Sequence, residues 1–334
     1  MTAALLSRSP EEGARLLALA LLDQTAAARL RLGDPEDTEA LHDFRVGLRR
    51  LRSCLRAYRE CLDDAVPRKL ARRLRRLARS TGPGRDAEVQ IEWLRGWRSH
   101  LSSHHRAGLT WLLDRLEERM RDAYAKLTAE VDRDFVEIER ELRGQLSVYR
   151  TEVRLDAELP PPTLGATSAA ILRGQVAELE DHLARVADAA EESESHRARI
   201  SAKRVRYLLE PFIEEVAGAA AAVKRFKALQ DLLGELHDAH RLEMEIAEAL
   251  EDAAAGRARR LLEISLDSTP DEKLLRAERR RPHESGLLAL ARFNRTRRDR
   301  LFAGLAAEWL DGKAGEFLRE VEGLGKAMAS GESS

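Results

Sequence analysis

Two stretches of this chain place histidine and cationic side chains at helical spacing. Around His42 the sequence reads LHDFRVGLRRLRSCL, and around His196 it reads SHRARISAKRVRYLL. On a helix at 100° per residue, His42, Arg45, Arg49, Arg52, Arg56 and Arg59 fall on one stripe. Leu41, Phe44, Leu48, Leu51, Leu55, Tyr58 and Leu62 fall on a second stripe about 100° away, which is the ordinary pattern of a core face. The cationic stripe is the unusual one. Like charges at i,i+4 oppose each other by a few tenths of a kcal/mol per pair, so a helix carrying only cations over four turns implies an anion that completes the site. The next helical stretch repeats the pattern, with Lys69, Arg72, Arg76 and Arg79 on one face and Arg73 and Arg75 flanking. Arginine suits phosphate because its planar fork donates two parallel hydrogen bonds and stays charged. Such forks stacked over ~20 Å match a linear polyanion better than a single small ligand.

The two stretches are related. Both fit His-x-x-Arg-(Val/Ile)-x-x-(Arg/Lys)-Arg-(Leu/Val)-Arg, and all seven specified positions agree at an offset of 154 residues. Downstream, ARRLRRLARSTGPGRDAEV aligns with VKRFKALQDLLGELHDAHR at an offset of 152, setting Gly82 against Gly234 and Asp86 against Asp238. This predicts an internal duplication. The expected polyanion-binding residues are His42, Arg45, Arg49, Arg50, Arg52, Arg56, Lys69, Arg72, Arg73, Arg76 and Arg79 in the first half. In the second half they are His196, Arg199, Lys203, Arg204, Arg206, Lys224 and Lys227, with Arg225 beside them. Glu210 stands where Arg56 stands and Asp231 where Arg79 stands, so the first half is expected to bind more strongly. The second apolar stripe is Ala198, Ala202, Val205, Leu209, Phe212 and Val216. Asp86 and Asp238 each follow a glycine-containing stretch and read as N-caps of a following helix.

The elements that position these residues are all helical. Of 334 residues 43% are hydrophobic, 34% charged and only 4% aromatic, and Ala, Leu, Arg and Glu dominate, which favours helix over sheet. Lys and Arg total 57 against 58 Asp and Glu, yet the charge is segregated. Residues 42–85 carry 14 basic against 4 acidic residues, a balance of +10, and residues 178–194 carry 1 against 7, a balance of −6. The acidic stretches, 178–194 and 132–141, read as solvated surface or protein contacts. Ser9-Pro10-Glu11-Glu12, Asp34-Pro35 and Thr269-Pro270-Asp271-Glu272 carry helix-start signals, and Ser80-Thr81-Gly82-Pro83-Gly84 a helix break. Pro160-Pro161-Pro162 marks the boundary between a first repeat (1–158) and a second (167–330), with 159–166 as linker. Cys54 and Cys61 lie two helical turns apart, about 10 Å, too far for a disulfide, and are expected to be reduced in a cytoplasmic protein. No signal peptide or membrane span is read, and the run 216–223 is too short to cross a bilayer.

These motifs resemble the CHAD domain, the conserved histidine alpha-helical domain. The resemblance rests on His42-Asp43-Phe44-Arg45-Val46 with Arg49-Arg50-Leu51-Arg52, and on His196 through Arg199 with Lys203-Arg204 and Arg206-Tyr207-Leu208-Leu209-Glu210. It rests also on Leu229-Gln230-Asp231-Leu232-Leu233-Gly234-Glu235-Leu236-His237-Asp238, and covers roughly residues 8 to 325. It implies two antiparallel helical bundles with pseudo-twofold symmetry, a basic central surface, binding of inorganic polyphosphate and association with polyphosphate granules. The Glu-x-Glu-x-Lys signature of the triphosphate-tunnel domain attached in some relatives is absent, so a stand-alone binding module is expected, neither an enzyme nor dependent on a cofactor.

Two rivals stand beside this reading. His42-Asp43 and His237-Asp238 are His-Asp dipeptides of the kind that metal-dependent phosphohydrolases use on helices. Against it, Asp43 aligns with Arg197 and His237 with Arg85, so neither pair recurs. The positions four residues after His42 and His196 are Val46 and Ile200, so no metal site is expected, and a donor or orienting role is open to both histidines. The other rival is a nucleic-acid backbone, which any basic groove attracts. Base stacking would want exposed aromatics among the cations, whereas Phe44 and Tyr58 fall on the core stripe.

Overall fold

The computed structural model describes residues 3–32, 34, 37, 39–148, 162–267, 271–279 and 283–330. Among them the regular structure is helical, in the order α1 (Ala3–Leu6), α2 (Pro10–Arg31), α3 (Ala40–Ala57), α4 (Arg68–Ser80), α5 (Gly82–Trp97), α6 (Arg106–Leu146), α7 (Leu164–Arg185), α8 (Glu192–Leu209), α9 (Ala219–Ser265), α10 (Glu272–Arg279), α11 (His283–Glu308) and α12 (Gly315–Ser330). The all-α expectation holds. Of the helix-start signals, Ser9 caps α2, its hydroxyl accepting from the Glu12 amide at 3.3 Å with Pro10 in the first turn. Pro35, Thr269 and Pro270 lie outside the described residues, but Asp271 accepts from the amides of Lys273 and Leu274 at 2.8 and 3.2 Å to start α10. Most of the proline boundary also lies outside them. After it, Thr163 caps α7, its hydroxyl accepting from the Ala166 amide at 3.1 Å.

Both predicted apolar stripes are core. Phe44, Leu48, Leu51, Leu55, Tyr58 and Leu62 on the first are buried, as are Ala198, Ala202, Val205, Leu209, Phe212 and Val216 on the second. α2, α3, α4 and the C-terminal part of α6 pack together, as do α7, α8, the N-terminal part of α9 and α12. A single cluster of buried apolar side chains draws on both groups, because α3 lies against α8 and α2 against α7. A second, smaller cluster mixes the halves again, with Ile91 and Leu94 from α5, Leu109 to Leu116 from α6, Leu242 and Ile246 from α9, and Leu287 and Leu290 from α11. The two glycine-containing stretches fold differently. α4 and α5 are separated at Thr81, whereas α9 runs unbroken through Gly234, where the first half has Gly82.

Two glycines set how closely α6 and α11 cross. A Cβ at Gly108 would lie 2.5 Å from the His283 carbonyl oxygen, and one at Gly286 would lie 2.4 Å from the His105 carbonyl oxygen. Both obstacles are backbone, which cannot swing away. Gly108→Ala and Gly286→Ala are each expected to destabilise the fold by about 1–3 kcal/mol. Gly144→Ala, where a Cβ meets nothing within 4 Å, is expected to be neutral or slightly stabilising. Urea unfolding of the three variants checks this; equal midpoints would contradict the tight crossing.

Candidate functional site: a basic face across the two halves

The cationic stripe of α3 faces two neighbours. Its C-terminal part opens toward α4. Arg52, Arg56, Arg59, Arg68, Arg72, Arg75 and Arg79 line a groove of 820 Å³, with Asp63 among them and Leu55, Leu62 and Leu74 contributing apolar surface. Burial, and then the positive field of Arg75, Arg79 and Arg56, lower the pKa of Arg52 below the usual guanidinium value. Burial likewise lowers that of Arg56, followed by Arg204 reaching across from α8. A groove walled this way is held open by its own repulsion, and an anion in it relieves several unfavourable pairs at once.

The face of α4 differs from the one expected. The groove takes Arg68, Arg72, Arg75 and Arg79, not Lys69, Arg72, Arg76 and Arg79. Arg73 turns to the other side, donating to Glu141 and Glu137 of α6 at 2.8 Å each, and Arg76 lies 3.5 Å from Asp134. Lys69 is exposed outside the groove lining. Part of the acidic stretch of α6 therefore neutralises one edge of α4. The buried Leu70, Leu74 and Leu77 fix the inward side of α4, but only the placement of α3 and α6 on its two flanks decides which arginines converge. Arg59, Arg68 and Arg75 join the site for that reason.

The N-terminal part of the α3 stripe meets α8 and α9. Lys203 and Arg199 of α8 lie in the field of Arg49 of α3, so the two motifs do come together. Burial, then Arg199, Arg49 and Arg206, push the Lys203 ammonium down to about 7, against a smaller opposing effect of Asp238. Burial also lowers Arg199, which faces both Asp238 and Asp86. Arg45 is half-buried, and donates to the Thr81 carbonyl at the α4–α5 break. The Nε atoms of Arg49, Arg199 and Arg206 are buried with no hydrogen-bond partner among the described residues. Buried donors of that kind are costly unless a ligand or water accepts from them.

Asp86 and Asp238 do not cap helices. Asp86 lies within α5 and Asp238 within the unbroken α9, where both act as counter-charges to this cluster. Burial raises the Asp238 carboxyl, with Arg199 opposing. The two histidines are not equivalent. His42 is exposed at the start of α3, while the His196 ring sits 4.7 Å from that of His237. Burial, then Arg199 and His196, hold His237 down to about 3, and burial with Arg199 lowers His196, so both rings are neutral at pH 7. Of the His-Asp pairs, Asp43 is engaged by Arg31 at 2.6 Å and Asp238 by the cation cluster.

Several expected site residues are instead engaged within the fold. Arg50 donates to Glu210 at 2.7 Å, and Arg206 lies 3.1 Å from the other oxygen of the same carboxylate, so Glu210 ties α3 to α8. Arg206 also stacks over the Tyr207 ring at 4.8 Å. Arg204 donates to Glu178 at 2.7 Å, which places the edge of the second acidic stretch in a contact. Arg225 stacks on Phe317 at 4.3 Å, while Lys224 and Lys227 are exposed. Cys54 and Cys61 are free, and burial pushes the Cys54 thiol up to about 12, which leaves it unreactive.

The fold and site together define an all-helical protein with an arginine-lined groove between α3 and α4 and a cation cluster where α3 meets α8. The family model described as the CHAD domain matches residues 16–247, and the chain belongs to that family. The crystal structure of the CHAD domain from the plant Ricinus communis is similar in fold, with 20% sequence identity and a TM-score of 0.56 over 98% of this chain and 94% of that one. Among curated proteins none matches.

Proposed function

We propose that this chain binds inorganic polyphosphate along the α3 stripe, from the cation cluster shared with α8 into the groove against α4, and that this binding carries it to polyphosphate granules. The groove lined by seven arginines is the observation that carries the reading. Its walls are guanidinium groups borne on two helices, and buried Nε donors of Arg49, Arg199 and Arg206 without partners among the described residues add to the reading. Membership of the CHAD family supports the same ligand class. An internal duplication accounts for the equal lengths of α2 and α7, 22 residues each, and of α3 and α8, 18 each.

A polymeric phosphate is favoured over a nucleic acid because the aromatics near the stripe are occupied. Tyr58 is buried with its hydroxyl 2.7 Å from that of Ser168, and Tyr207 lies under Arg206. Titration with long polyphosphate at two salt concentrations, with single-stranded DNA as competitor, tests the reading. With about six to ten phosphates engaged, affinity is expected to fall by several decades per decade of salt. Triphosphate is expected to bind far more weakly, since it spans only part of the groove. Salt-independent binding, or equal affinity for triphosphate, would sink the proposal.

A further inference from the structure

The far end of α9 lies away from the basic groove and outside residues 16–247 that match the family model. α11 begins beside Arg257, which pairs with Glu284 at 3.0 Å, and Arg115 of α6 reaches no further than Asp252. Past that level α9 continues to Ser265, with α10 packed on it. Ala253, Arg257, Leu261 and Ile264 form the half-buried side of this arm. A different side is exposed and apolar. Ala254, Ala255, Ala258, Leu262 and Leu266 fall within about 120° of helical arc, and Leu262 and Leu266 are 58% and 76% exposed. On α10, Leu274 is 55% exposed.

The charges beside this stripe indicate what covers it. Arg259 and Glu263 lie on one flank, a turn apart, both exposed and in no ion pair among the described residues. When two helices pair antiparallel, each flank meets the same flank of its partner. A second copy turned about a twofold axis near Leu261 and Leu262 therefore sets Arg259 against the partner's Glu263 and the reverse, while the apolar stripes close on each other. One patch meets its own copy, as an isologous interface requires.

We infer that the exposed stripe of α9 is a homodimer interface, formed by antiparallel pairing with a second copy of this chain. It does not depend on the polyphosphate reading. If both hold, a dimer carries two grooves on one particle and gains avidity for a long polymer.

Sedimentation equilibrium of the full chain without polyphosphate is the test. A dimer is expected at about 10–100 μM chain, the range a small interface supports. Leu262→Glu, Arg259→Glu and Glu263→Arg are each expected to give monomers with unchanged circular dichroism, because all three side chains are exposed. An equimolar mixture of Arg259→Glu with Glu263→Arg is expected to dimerise again, as is the double reversal within one chain. A wild type that stays monomeric overturns the inference, as do a dimer that none of the three variants disturbs and charge reversals that fail to restore pairing.

Discussion

Reversing Arg52, Arg56 and Arg75 together to glutamate is expected to remove most polyphosphate binding and leave helical content unchanged. The three side chains line the groove from both of its walls and lie off the buried leucines of α3 and α4. Replacing three attractive contacts by three repulsive ones is expected to weaken binding on the order of a thousandfold at low salt and to flatten its salt dependence by at least three phosphate equivalents. Arg45 is a poor choice for this test, since it is half-buried and bonded to Thr81, so its reversal would also damage the fold. The control is Lys224→Glu with Lys227→Glu, both exposed on α9. Against the seven groove arginines the second half sets Arg206, Glu210, Ile213, Ala220, Lys224, Lys227 and Asp231, a much weaker cation array. Arg204 and Arg206 there already have carboxylate partners. The control is expected to cost less than about tenfold. Equal losses in the two variants, read by titration at two salt concentrations, would refute the asymmetry between the halves.

Lys203→Met is expected to make the unliganded protein more stable near neutral pH, on the order of 3 kcal/mol. The native fold holds this ammonium at about 7, by burial and then by Arg199, Arg49 and Arg206, against an ordinary value of 10.5. Folding thus opposes protonation. The penalty is absent above about pH 10.5, grows as pH falls toward 7 and is constant below that. The stability gap between variant and wild type should follow the same course. Polyphosphate supplies negative charge beside the cluster and lifts the ammonium again, so binding to the wild type is expected to take up a proton above pH 7 and to weaken as pH rises. In the methionine variant that proton uptake should be lost. Denaturant unfolding across pH, with calorimetric titration in two buffers of different ionisation enthalpy, reads both effects. A variant less stable than the wild type at pH 7, or one with undiminished proton uptake, would contradict the role given to Lys203.

The helical class and the core faces of α3 and α8 were determined by the sequence itself, because each rests on local periodicity. Phe44, Leu48 and Leu51 must turn inward on any helix that buries a stripe, and that places Arg45, Arg49 and Arg52 beside them. Which cations line the groove was decided by tertiary structure. Arg73 and Arg76 share a helix with Arg72 and Arg75, yet the acidic side chains of α6 take the first pair and leave the second to the groove. Arg50 looks as available as Arg49 in the sequence, but Glu210 arrives from α8 and engages it. Asp86 and Asp238 read as caps after glycines, but α5 already starts at Gly82 and α9 has no break at Gly234, so both lie inside helices as counter-charges. Charge pairing and burial depend on groups far apart in the chain, and no single-helix pattern encodes which neighbour a side chain will meet.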